Sequence, residues 1–177
     1  MPAGELIATD RRVRTGSAED IRDAWEVLGE VMDPEVPVVS VVDLGIVRAV
    51  SWQDGHLKVV VTPTYSGCPA TEFIEDLIRE ALENAGFAGP QLQQKLDPAW
   101  TTDWITDKGR EQLRAFGIAP PQGSASKRSL LIENPVVICP HCGSEHTEQV
   151  SEFGSTACKA LYRCRDCLEP FDYFKCI

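Results

Sequence analysis

The chain has 177 residues, 43% of them apolar, and a formal net charge of −10, which suits one domain or two small ones with packed cores. No apolar run approaches the ~20 residues that span a bilayer, and the acidic balance lacks the basic surface that nucleic-acid binding requires. We therefore expect neither a membrane nor a nucleic-acid partner. The chain has seven cysteines, with spacing typical of metal-binding knuckles, and no apolar leader segment. These two features predict a cytoplasmic location in which the thiols are reduced or bound to metal.

The first elements predicted along the chain are a helix and a hairpin. Ser17 to Asp20 resembles a capping box, and apolar residues then recur at helical spacing until Asp33, which precedes a proline. Alternating apolar residues predict strands over 44–52 and 56–64, and an Asp-Gly turn signal separates them.

A second helix, a strand and a third helix are predicted next. The helix over 69–85 has Pro69 at its first position and a wide apolar stripe. A strand follows over 91–96, and a short helix runs from Thr106 to Gly117. The order of these elements predicts an α/β (α+β) domain, with helices packed on a short sheet, over residues 17–117.

Two Cys-x-x-Cys pairs lie near the C-terminus, after a stretch of linker composition over 118–134. Their spacing predicts a zinc ribbon over 135–177, in which a β-hairpin brings two knuckles around one tetrahedral Zn²⁺. The predicted ligands are Cys139, Cys142, Cys164 and Cys167. Iron is the alternative, because the first knuckle also resembles that of rubredoxin, although no glycine follows the second.

Two further cysteines and five aromatic residues lie in the same region. Cys158 and Cys176 have three interpretations: a fifth thiol near the ion, a transient ligand, or a small core residue, of which packing is the default. The aromatic residues are expected to form the small core of the ribbon. They are Phe153, Tyr162, Phe171, Tyr173 and Phe174.

Cys68 lies after a predicted strand and just before a predicted helix. The first-turn N–H groups and the helix dipole would favour its thiolate, the form that binds metal or attacks electrophiles. The hydroxyl of Thr64 is close enough in sequence to add a hydrogen bond. A buried cysteine packed under the helix is the other interpretation, and position in the sequence alone does not separate the two.

The loop over 33–45 combines two prolines, three carboxylates and an apolar run. Asp33 and Glu35 are candidates for ligands or for steering a partner. Alternatively, Asp33 ends the helix and Glu35 is solvated. Asp43 lies between apolar residues, so we expect it to hydrogen-bond to backbone.

Residues 33–48 and 62–69 together resemble the MIP18 (DUF59) family, and the similarity covers roughly residues 17–96. The resemblance implies a small α/β domain that serves iron–sulfur cluster assembly and metalloprotein maturation, with a reactive cysteine at Cys68. The leading hypothesis is that Cys68 transiently holds iron or an iron–sulfur cluster, with Asp33, Glu35 and Asp43 shaping the site and Thr64 close to Cys68 in sequence.

The whole chain resembles the D-type accessory subunits, also lettered J, of phenylacetyl-CoA oxygenase (epoxidase) systems. That resemblance implies a role in aerobic phenylacetate degradation, with the oxygenase and reductase subunits as partners and no catalysis by the chain itself. We expect a maturation factor acting through Cys68. A non-catalytic scaffold that docks through the ribbon is the alternative, and a thiol enzyme ranks last because no histidine lies near Cys68 in sequence. A cluster on one cysteine would need further ligands from a partner or a homodimer.

Overall fold

The computed structural model describes residues 14–65, 67, 69–122 and 136–175. In these residues three α-helices and two β-sheets form a mixed α/β structure, which confirms the predicted fold class. The first sheet has three strands and the second has four. No helix in the described part of the chain is long and apolar enough to cross a membrane.

Helix α1 (Ala18–Gly29) begins with the predicted capping box. The Ser17 hydroxyl accepts a hydrogen bond from the Asp20 N–H at 3.1 Å, and the Asp20 carboxylate accepts one from the Ser17 N–H. The helix ends four residues before the predicted end at Asp33, because the backbone from 31 to 33 pairs instead with residues 39–41. This pairing folds the loop back against α1.

Strands β1 (Val47–Gln53) and β2 (His56–Val61) form the predicted antiparallel hairpin. Helix α2 (Thr71–Asn84) then crosses to β3 (Gln91–Gln94), which lies parallel to β2. Pro69 precedes the helix by two residues rather than occupying its first position. The apolar stripes of α1 and α2 cover this sheet, and Leu28, Ile78 and Leu82 are fully buried.

Helix α3 (Asp107–Phe116) is capped by Thr106 and ends at Gly117, which has a left-handed φ of 91°. A 3₁₀ turn (Thr102–Trp104) precedes it. The chain continues into β4 (Ile118–Ala119), which pairs with a strand of the C-terminal ribbon although the linker was predicted to begin here. The segment after α3 thus adds an edge strand to the sheet of the ribbon, through residues that sequence composition marks as irregular.

The ribbon is an antiparallel meander of β5 (Thr147–Ser151), β6 (Lys159–Cys164) and β7 (Pro170–Phe174). Tyr162, Phe171 and Tyr173 form its core, as predicted. We call the part of the chain that contains α1 to α3 and the three-stranded sheet the N-terminal unit. The prediction was wrong for Phe153, which is exposed, and for Phe174, which packs into the core of the N-terminal unit. Successive side chains in a strand point to opposite faces, so Phe174 faces away from Phe171 and Tyr173.

Candidate functional site

The four predicted metal ligands lie together at one end of the ribbon. Their sulfur atoms are all within 4.8 Å of one another, with 3.7 Å between the Sγ atoms of Cys139 and Cys167 and 3.5 Å between those of Cys142 and Cys164. A tetrahedron with metal–sulfur bonds of about 2.3 Å has sulfur–sulfur edges of about 3.8 Å. The geometry therefore fits a closed tetrahedral metal site with four thiolates.

Backbone N–H groups hydrogen-bond within both knuckles of the four-cysteine cluster. The Cys167 N–H points at Cys164 Sγ at 3.5 Å, and this contact lowers the pKa of Cys164 to about 6. The first knuckle turns back on itself through a hydrogen bond from the Gly143 N–H to the Cys139 carbonyl, and Gly143 has a φ of 75°. Thiolates are the form that binds metal, and the contact from the Cys167 N–H favours that form at Cys164, whereas burial and the neighbouring sulfurs raise the pKa of Cys142 and Cys167.

A second site lies between the N-terminal unit and the ribbon. A cavity of about 20 Å³ is lined there by Asp33, Glu35 and Thr64 of the N-terminal unit and by Cys158 and Phe174 of the ribbon. The structure thus brings three of the predicted site residues to one place. Asp33 Oδ1 accepts hydrogen bonds from the N–H groups of Glu35 and Val36, at 2.8 and 2.9 Å.

Burial dominates the electrostatics of this cavity. It raises the pKa of Asp33, against the lowering effect of the two backbone N–H groups. The pKa of Glu35 is raised by burial and by the neighbouring charge of Asp33. The pKa of the Cys158 thiol is likewise raised by burial. Three acidic groups therefore face a poorly hydrated space, in which a neutral form or a bound cation is favoured over free charge.

Asp43, the fourth predicted site residue in the described part of the chain, belongs to a different network. Its Oδ2 accepts hydrogen bonds from Ser40 Oγ and Lys108 Nζ, both at 2.9 Å, and its Oδ1 accepts one from Thr106 Oγ1 at 2.7 Å. Burial would raise the pKa of Asp43, but these donors outweigh it and lower the pKa. The carboxylate thus ties the loop to the start of α3, and its donors are side chains rather than the backbone groups that we expected.

Cys68 lies outside the described residues, as does Cys176. The positions on either side of Cys68 are described, and Thr64 and Thr71 both line the cavity between the two units. Thr64 and Thr71 lie four residues before and three residues after Cys68 in sequence.

Cys158 is the cavity residue that sequence reasoning did not assign to this place. It is 3% exposed and packs with the core of the N-terminal unit rather than with the four-cysteine cluster. Its position depends on how the ribbon docks, a contact between residues about 120 positions apart. The one sequence signal was a cysteine left over after the two knuckles had been assigned.

Family models match both parts of the chain. Residues 21–86 match the model described as an iron–sulfur cluster assembly protein, and residues 123–175 match the PaaD zinc beta ribbon domain. In fold, the N-terminal unit is similar to a domain of unknown function (DUF59) from Bacillus anthracis, with a TM-score of 0.50 and 21% identity over 54% of this chain and 92% of that one.

Two of the curated relatives match about half of the chain, and a third matches nearly all of it. Proteins of Porphyromonas gingivalis and Bacillus subtilis, each named an Fe-S protein maturation auxiliary factor, are 33% identical to 51% of this chain and match over 88% and 82% of their own lengths. An Escherichia coli protein, the D-type subunit of a "Putative 1,2-phenylacetyl-CoA epoxidase", is 51% identical, with 94% of this chain and 99% of that protein covered. The chain therefore belongs to the family of these D-type epoxidase subunits, in which a DUF59 domain is joined to a PaaD zinc ribbon.

Proposed function

We propose that the chain is an accessory maturation factor of a phenylacetyl-CoA monooxygenase (epoxidase) complex in aerobic phenylacetate degradation. In this proposal it assists assembly of an iron or iron–sulfur centre in the oxygenase or reductase subunits through Cys68. The observation that supports the proposal is the cavity that is lined by the predicted residues Asp33, Glu35 and Thr64. The names of the relatives, an epoxidase subunit and two maturation factors, support the same assignment.

The two parts of the chain would have different tasks. Residues 17–117 would handle the cargo, and residues 135–177 would form a rigid ribbon that docks on the partner subunits. Cys68 alone cannot hold a cluster, which needs about four ligands, so an iron–sulfur cargo would share ligands with the recipient subunit or with a second copy of the chain. A single iron ion would need fewer.

We propose Zn²⁺ as the ion of the ribbon. Four cysteines at tetrahedral spacing match a closed structural zinc site, and the second knuckle lacks the glycine that would favour iron. Bound Zn²⁺ would hold both knuckles together through Cys139, Cys142, Cys164 and Cys167. A colourless protein with one zinc per chain would support this choice, whereas a red protein with iron would overturn it.

The test of the function is to co-express the oxygenase and reductase subunits with this chain, either intact or as Cys68→Ser, and to measure the iron content and activity of the purified oxygenase. Ser66→Ala is the matched control, because it changes the same segment and keeps the thiol. We expect Cys68→Ser to lower both iron content and activity while the variant stays folded and bound. Unchanged iron and activity would overturn delivery through Cys68.

A scaffold without metal handling is the second candidate, and the surface of the ribbon favours it. Val136, Val150, Phe153 and Leu168 are each at least 57% exposed, and in this proposal they would supply the apolar contact with the partner subunits. In that case Cys68→Ser would leave iron and activity intact, whereas Val150→Asp and Phe153→Asp would reduce co-purification with the oxygenase.

A further inference from the structure

A larger pocket lies on the three-stranded sheet and shares no lining residue with the cavity that borders the ribbon. Its volume of about 270 Å³ is close to the lower limit of about 300 Å³ for pockets that hold small organic ligands. Strand β1 contributes Arg48, β2 contributes Val60, and the segment between β3 and α3 contributes Lys95, Asp97 and Trp104. Both neighbours of Val60 in β2 are buried in the core, and successive side chains alternate, so the pocket lies on the face of the sheet opposite that core.

A bulge in strand β1 brings Arg48 into this pocket. Its neighbours Val47 and Ala49 pair with consecutive residues of β2, Val61 and Val60. Arg48 is therefore an extra residue without a partner in that strand. Side chains that follow one another in a regular strand point to opposite faces, yet Arg48 and Ala49 both line the pocket. Bulges redirect a side chain in this way and are frequent next to active sites.

The ring of Trp104 holds the guanidinium group of Arg48 in place. Arg48 Cζ lies 3.5 Å from the centroid of that ring, well within the limit of about 6 Å for a cation–π contact. The tryptophan packs directly on the backbone of Gly45, where an added Cβ would stand only 2.6 Å from Trp104 Cβ. A guanidinium stacked on an aromatic ring keeps the N–H groups at its edge for hydrogen bonds to an oxyanion.

The two cationic side chains of the pocket lack partners among the described residues. No described residue forms an ion pair or a hydrogen bond with the side chain of Arg48 or Lys95, although Asp97 lines the same pocket. Partial burial lowers the pKa of Arg48, because water solvates its charge incompletely. With two cations and one carboxylate, the lining is positively charged in a chain whose net charge is −10.

We infer that this pocket binds a small organic anion, whose carboxylate or phosphate group pairs with Arg48 and Lys95 and whose apolar part lies against Val60. The planar fork of an arginine matches two oxygens of either group. A small anion suits the pocket better than an acidic protein surface does. Salt screens charges beyond about 8–10 Å, so a small anion experiences mainly the lining, whereas a large acidic surface also meets the negative charge of the rest of the chain. The inference does not rest on the proposed function.

The test titrates the zinc-loaded full chain, in a buffer of low ionic strength without chloride, with acetate, inorganic phosphate, benzoate and phenyl phosphate. Heteronuclear NMR follows the signals of the Arg48 Nε–H and the Trp104 indole N–H. We expect saturable changes in both signals, tighter binding of the two aromatic probes than of acetate and inorganic phosphate, and weaker binding at high salt. The ratio of the affinities for benzoate and phenyl phosphate then identifies the oxyanion that the pocket prefers.

Three variants at the surface assign the binding to this pocket. Arg48→Gln should weaken binding of the tighter probe at least about 10-fold, since a hydrogen bond to a charged group contributes that much or more. Asp97→Asn should strengthen binding, because it removes the negative charge from the lining, and a gain of affinity cannot come from unfolding. Arg79→Gln is the matched control. Arg79 pairs with Asp76 on α2 and lies outside the pocket, so this variant should bind as the wild type does.

The outcomes separate this inference from the proposed function. Absence of saturable changes with all four probes, or equal binding by Arg48→Gln and the wild type, would overturn the inference. If no probe binds and Arg48→Gln loses co-purification with the oxygenase, the pocket contacts an acidic surface of a partner and the small-anion inference fails. Neither result affects delivery through Cys68, which Cys68→Ser tests by the iron content of the oxygenase.

Discussion

Replacement of Phe174 by alanine tests whether the ribbon and the N-terminal unit form one cooperative structure. Phe174 lies in the last strand of the ribbon, yet it is 1% exposed and packs in the N-terminal core. Its ring centroid is 6.1 Å from that of Trp100 at an interplanar angle of 54°. Trp100 is itself held by a hydrogen bond from its Nε1 to the Leu44 carbonyl at 2.9 Å.

We expect Phe174→Ala to lower the free energy of unfolding by about 3–5 kcal/mol, the usual cost of truncating a fully buried phenylalanine. The tilted pair with Trp100 accounts for about 0.5–1.5 kcal/mol of this, and lost burial together with the new cavity accounts for the rest. Because both units share the side chain, the loss should appear in the unfolding of the N-terminal unit as well as in that of the ribbon.

The assay is urea unfolding of the zinc-loaded chain, followed both by tryptophan fluorescence and by far-ultraviolet circular dichroism. All four tryptophans precede the ribbon, so fluorescence reports on the N-terminal unit. Phe153→Ala is the matched control. Its ring is 60% exposed and contacts Lys175 Nζ at 4.4 Å, so its loss should cost at most about 1 kcal/mol. Equal effects of the two substitutions, or a fluorescence transition that Phe174→Ala leaves unmoved, would refute the shared core.

Three other predictions concern a cap, a loop and the metal. Folding lowers the pKa of Asp20 through hydrogen bonds from backbone N–H groups, that of Thr15 first. The ionised Asp20 therefore stabilises the folded chain above the ordinary carboxyl pKa of 3.8, and this stabilisation is lost as the pH falls below that value. Asp20→Asn should reduce the decrease of the urea midpoint between pH 5 and pH 3, and a decrease equal to that of the wild type would contradict the prediction. Asp43→Asn should destabilise the chain by about 1–3 kcal/mol, because the buried Ser40 hydroxyl and the donors of Thr106 and Lys108 lose a charged acceptor. The substitution should accelerate amide exchange more in α3 than in α2, and an equal change in both helices would argue against the tie to α3. Removal of the ribbon metal by a chelator should lower the melting temperature and broaden the NMR signals of the ribbon residues, and added Zn²⁺ should reverse both changes. Sharp ribbon signals after complete removal of the metal would show that the strands fold without the metal.

The sequence predicted correctly those features whose cause lies within a few neighbouring residues. The capping box at Ser17, the Asp-Gly turn of the hairpin and the left-handed Gly117 each act within a few residues, and each was predicted. The metal site was predicted for the same reason, because a two-residue gap sets the geometry of each knuckle. Helix ends were less accurate: residues 31–33 leave α1 to pair with residues 39–41, and this competition depends on a distant partner.

Tertiary structure alone decided how the two units meet. Nothing in the local pattern indicates that β4 pairs with β7, that Phe174 leaves the ribbon core, or that Cys158 reaches the cavity of Asp33. These contacts join residues far apart in the chain, and their free energy comes from apolar surface that only the docked units can bury. Residue types and spacing by themselves determined the fold class, the metal knuckles and the candidate carboxylates. Docking of the two units decided which of those carboxylates share a cavity with a thiol.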